Sequence, residues 1–135
     1  MTVNDGGWFR TVLLQRIENG AVAVAIVSAV IVAGLPWWVL AATFVLFDLS
    51  AIGYLHSPRS GAVSYNLVHN YTPPALLAAG YALGHLVGTP PDWIVLLAAS
   101  WGFHVAIDRA LGFGLKLTVF SRTHLSKAGS YTLSG

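Results

Sequence analysis

The sequence contains no cysteine and little charge, with five Asp or Glu and seven Lys or Arg among 135 residues. Without cysteine there is no disulfide framework, thiolate metal centre or cysteine nucleophile, so any chemistry rests on His, Asp, Glu, Ser or Tyr. The scarcity of charge excludes an ordinary soluble domain, because such chains carry about 25% charged residues and this one carries 9%. A secretory-type start is also missing. The first apolar run holds Glu18 and reaches Pro36 without a cleavage pattern, so the first helix is expected to be retained. No linker, low-complexity tract or charge run divides the chain, and a single domain over 1–135 is expected.

What is present is apolar: 56% of residues are hydrophobic and the mean hydropathy is +0.68. Between Glu18 and Asp48 lie 29 uncharged residues, more than the roughly 20 that one span needs. Gly34, Pro36, Trp37 and Trp38 punctuate that run, since Gly and Pro interrupt helices and Trp favours the membrane interface. The expected architecture is an all-α, antiparallel four-helix transmembrane bundle. Its helices cover roughly 12–33, 36–54, 61–86 and 91–111, the third kinked by Pro73 and Pro74, with a polar tail over 112–135.

The distribution of Lys and Arg supports four spans. Arg10, Arg16, Arg59, Arg109, Lys116, Arg122 and Lys127 all fall on one side, and the turns near 34–37 and 85–92 hold no Lys or Arg. Cytoplasmic loops carry that excess, so the expected location is the cell's inner membrane with both termini cytoplasmic. The net charge of +2 then needs no nucleic acid, because topology and anionic lipid headgroups account for the basic residues. Membrane lipids are the expected surroundings, with an amphiphilic or anionic small molecule and a homo-oligomer as further candidate partners.

Ionisable residues inside a membrane are costly, so each is a functional candidate. At about 1.5 Å rise per residue, Asp48 lies roughly 9 Å inward from Tyr54, His69 roughly 12 Å from Gly61 and Glu18 roughly 9 Å from Val12. On the same scale His104 and Asp108 lie roughly 10 and 5 Å inward from Leu111. All five belong to the cytoplasmic half of an antiparallel bundle. His104 and Asp108 are four apart, as are Tyr65 and His69, so each pair shares a helix face.

Imidazole with carboxylate suits Zn, Fe or Mn, and such a metal activates water for hydrolysis. His69, His104 and Asp108 are the candidate ligands. Asp48 is the fourth ligand or a supporting group, and Glu18 the general base, its pKa raised by burial. Arg59 and Arg109, with Lys116 at the same rim, are candidates for an anionic substrate group. The plainer alternative is a buried polar network locking the helices, with Asp48 or Asp108 paired to Arg59 or Arg109. A proton- or ion-conducting element, or haem held by two facing His, is a further alternative.

The stretches FDLSAIGYLHSPRSGAVSYNLVHNYTPP, HVAIDRALGFGLK and FSRTHL resemble a small bacterial membrane family called domain of unknown function four-two-six-zero. The resemblance covers most of the chain. Its motif positions fall on Glu18, Asp48, Gly53, Tyr54, Pro58, Arg59, Gly61, Tyr65, Asn66, His69, His104, Asp108, Arg109, Lys116 and His124, whereas His56 and His85 match none. Phe47, Ser57, Ala106 and Phe113 depart from the family pattern, and no polar motif position is lost. The resemblance adds Tyr65, Asn66 and His124 to the candidate substrate-binding set. It implies no activity of its own.

Overall fold

The first half of the uncharged run after Glu18 forms the C-terminal part of a single helix, α1 (Asp5–Val32). The helix starts earlier than the expected residue 12. It stops where Gly34 adopts φ +70°, with Gly34 N–H donating to Ile31 O and Leu35 N–H to Val30 O. That paired closure satisfies two terminal carbonyls and needs the left-handed backbone that glycine adopts freely. The computed structural model describes residues 5–116, with side chains from Phe9 onward.

Three short pieces follow as one apolar helical stretch: α2 (Trp38–Ala42), α3 (Phe44–Asp48) and a 3₁₀ segment (Leu49–Leu55). Thr43 Oγ1 donates to Val39 O at 2.7 Å at the first joint, the back-bonding by which Thr bends helices. Ser57 Oγ then accepts from Ser60 N–H at 3.0 Å and opens α4 (Pro58–Val68). α5 (Thr72–Gly84) and α6 (Trp93–Leu111) complete the described fold. α6 ends as α1 does, on Gly112 at φ +94°, with Phe113 N–H donating to Asp108 O.

The expected third helix over 61–86 is in fact two. Pro73 and Pro74 lie in the first turn of α5 rather than at a mid-helix kink, where a missing N–H costs nothing. The interruption falls at His69, Asn70 and Tyr71. The carbonyls of residues 66 to 69 find side-chain donors. Asn70 Nδ2 donates to Asn66 O and Leu67 O, Trp101 Nε1 to Val68 O at 2.6 Å, and Arg109 Nη2 to His69 O at 3.0 Å. Asn70 Oδ1 in turn accepts from Thr72 N–H. A broken helix is tolerated at membrane depth when its backbone is satisfied inside the protein, as it is here.

Among the described residues, three stretches are long and apolar enough to cross a membrane: Phe9–Val32, Trp38–Leu55 and Trp93–Leu111. α4 and α5 have only 11 and 13 residues but run past α6 in one direction. Asn66 meets Lys116, Tyr65 meets Asp108, His69 meets His104 and Tyr81 meets Asp92. α1 is also antiparallel to α6, with Arg16 at Ala110 and Ile26 beside Gly102. The 38–55 stretch runs with α6, Phe44 lying on His104 and Tyr54 near Lys116. This is the expected up-down-up-down order, with α6 packed against α1, α2, α3 and α5.

Candidate metal centre

Three helical segments together bring four side chains to the middle of one half of the bundle. Asp48 closes α3, His69 sits at the break after α4, and His104 and Asp108 occupy adjacent turns of α6. His104 Nε2 and His69 Nε2 are 3.0 Å apart. Asp48 Oδ1 lies 3.5 Å from His69 Nε2 and 3.7 Å from His104 Nε2, and Asp108 Oδ2 lies 3.4 and 3.8 Å from the same atoms. One donor atom from each residue falls within 4.8 Å of all the others. Corners so spaced lie about 2.2 to 2.4 Å from their common centre, close to the 2.0–2.2 Å of Zn–N and Zn–O bonds.

The His69 tautomer is set by its neighbours. Its Nδ1 is 3.0 Å from Tyr65 O; a carbonyl only accepts, so Nδ1 carries the proton and Nε2 turns a lone pair to the cluster. Ser50 Oγ stands 3.5 Å from the same Nδ1. The Tyr65 ring stacks on His69 with centroids 3.6 Å apart and planes at 9°, and its hydroxyl donates to Asp108 Oδ2 at 3.4 Å. Phe44 and Phe47 cover His104 at 4.5 and 5.3 Å between ring centroids. His104 is fully buried, and its Nδ1 has no hydrogen-bond partner among the described residues. Two carboxylates and an imidazole lone pair thus face one another in a mostly dry space, an arrangement that calls for protons or a cation.

Access comes from one side. The Asp48 side chain is 53% exposed, against 3% for His69, 0% for His104 and 13% for Asp108.

The structure places the other candidate residues as follows. Glu18 is exposed on α1 and lies outside the four-residue group, so the burial expected for it as a general base is not what the fold gives. Helix rotation decides this, because the α1 face that meets α6 carries Arg16 and Ile26. Arg109 is committed to the His69 carbonyl, not to Asp48 or Asp108. Asn66 exchanges two hydrogen bonds of 2.6 Å with the backbone of Lys116. The Lys116 ammonium sits 3.8 Å from the Tyr65 ring centroid, a cation–π distance. Arg59 is exposed on the first turn of α4. His124 lies outside the described residues.

Sequence reasoning missed the capping roles of Asn70, Trp101 and Arg16, whose Nε donates to Ala110 O at 2.8 Å. One signal was available: Ser57-Pro58 is an N-cap followed by a first-turn proline, which starts α4 three residues before the expected Gly61.

No curated protein and no solved structure matches this chain. A family model matches residues 12–128, which covers every helix of the bundle except the first turns of α1, and carries the four donor residues. The chain therefore belongs to the family described as Domain of unknown function (DUF4260).

Proposed function

We propose that this membrane protein binds a divalent metal (Zn, Fe or Mn) through His69 Nε2, His104 Nε2 and Asp108 Oδ2. In this reading Asp48 is a fourth ligand or proton acceptor, and the chain is a hydrolase for a lipid-like or phosphorylated amphiphile. It lies in the inner membrane with both termini cytoplasmic, the polar site opening to the cytoplasm. The carrying observation is the convergence of four donor atoms at ligand spacing from three segments distant in sequence. A metal held by His69, His104 and Asp108 would lower the pKa of bound water and polarise an ester or phosphoryl oxygen.

The chain's own groups divide the remaining work. Tyr65 holds Asp108 through its hydroxyl and His69 through ring stacking and its carbonyl, so one residue orients two donors. Phe44 and Phe47 limit water on the His104 side. Asp48 is the donor on the open side, placed to take a proton from an entering water. Lys116, whose ammonium lies over the Tyr65 ring, is the cation for an anionic substrate group.

The 3.0 Å contact between the two imidazoles favours a second reading, a proton-sharing pair in a conducting or purely structural network. It does not favour haem, because nitrogens in hydrogen-bond contact leave no space for a macrocycle between them. The test is phosphate release from a phosphorylated alkyl chain by the purified protein, with chelator and then with metal resupplied. Activity that vanishes with chelator, returns with metal and is missing from His104→Ala supports the hydrolase. Activity indifferent to chelator refutes it.

A further inference from the structure

α1 and α5 both pack on α6 but leave a wedge between them, a groove of about 440 Å³ walled almost wholly by apolar side chains. It lies on the other side of α6 from the His/Asp cluster, Ala98 and Gly102 facing the groove while His104 and Asp108 face the cluster. We infer that this groove is a binding site for one acyl chain of an anionic membrane phospholipid, with the headgroup at the Arg16 end. The inference stands apart from the metal reading.

Three observations select that occupant. The first is polarity along α1, where Arg16, Asn19, Val22, Ile26, Ala29 and Ala33 recur at helical spacing and form one stripe. Polar at the start and apolar from Val22 onward, the stripe has the polarity of an amphiphile. The Tyr71 hydroxyl closes the junction by donating to Asn19 Oδ1 at 2.5 Å, and Tyr71 also lines the groove.

The second is length. Val22 to Ala33 spans about 17 Å at 1.5 Å per residue, close to the roughly 15 Å depth of one leaflet's hydrocarbon. The third is charge. Arg16 supplies the sign: its Nε is used on Ala110 O, yet the residue remains exposed at the basic end of the bundle.

The test uses the full chain in mild-detergent micelles doped with equal phosphatidylglycerol and phosphatidylcholine, read by native mass spectrometry. The wild type should retain one phospholipid, enriched in phosphatidylglycerol. Ala29→Phe with Ala78→Phe fills the groove from two of its exposed wall positions and should abolish retention, whereas Ala79→Phe, outside the lining, should not. Arg16→Gln should keep the site but lower the phosphatidylglycerol preference about fivefold, as expected for one basic residue at a lipid surface, and it tests the inference even if the double variant misfolds. Equal retention by the groove-filled variant overturns the site. Equal retention of the two lipids by the wild type overturns the headgroup assignment, and a lipid-free dimer that the Phe substitutions dissociate overturns the choice of occupant.

Discussion

Replacing Tyr65 by Phe removes one hydroxyl from the candidate metal centre and leaves its shape intact. The ring keeps its stack on His69 at 3.6 Å, and the Tyr65 carbonyl still receives the His69 Nδ1 proton. What is lost is the hydrogen bond to Asp108 Oδ2, which at 3.4 Å is long for an O–H···O bond. Groups that orient a metal ligand are worth 10- to 100-fold in affinity, and the long geometry puts this one near about tenfold, or about 1.4 kcal/mol. Folding should change by less, on the order of 1 kcal/mol, because Asp108 Oδ2 still faces both imidazoles. Competition against a chromophoric chelator measures the metal affinity, and thermal unfolding with chelator present measures the fold. An unchanged affinity would refute the orienting role. A loss as large as that from deleting His104 would show that Tyr65 is itself a ligand.

Three further outcomes follow from the packing. Trp101→Phe strands the Val68 carbonyl at the helix break and should destabilise the fold by about 1–3 kcal/mol, seen as a lower unfolding midpoint in detergent; an unchanged midpoint would mean water replaces the indole. Gly61→Ala puts a methyl group into the Tyr54 ring and should cost about 1–3 kcal/mol through overpacking, and a Tyr54→Ala background should relieve it. Glu18→Gln should leave metal content and affinity unchanged, since Glu18 is exposed and outside the donor group; a lost metal would place α1 in the site after all.

Much of this was legible in the residues, and the divisions are physical. Helix count and direction follow from one-dimensional features: the apolar run, the Gly34 and Pro36 punctuation and the one-sided Lys and Arg. The common depth of Asp48, His69, His104 and Asp108 follows from the rise per residue. Rotation about the helix axis does not, and it separates Glu18 from the other acids, because depth alone cannot say which face of α1 meets α6. The helix break was misplaced because Pro73-Pro74 reads equally as a kink or a first turn; the decision belongs to Asn70, Trp101 and Arg109, which cap the freed carbonyls from segments up to 40 residues away. Arg109 was read as a substrate group for the same reason, its carbonyl partner existing only in the folded chain.

The central claim is that His69, His104 and Asp108, with Asp48, hold a metal ion. Elemental analysis of the protein purified in mild detergent without chelator tests it most directly, beside the His104→Ala/Asp108→Ala variant and after both are offered Zn, Fe and Mn. The account predicts near-stoichiometric metal in the wild type and its loss from a variant that remains folded. No metal in either protein after resupply, or full occupancy in the variant, would contradict it.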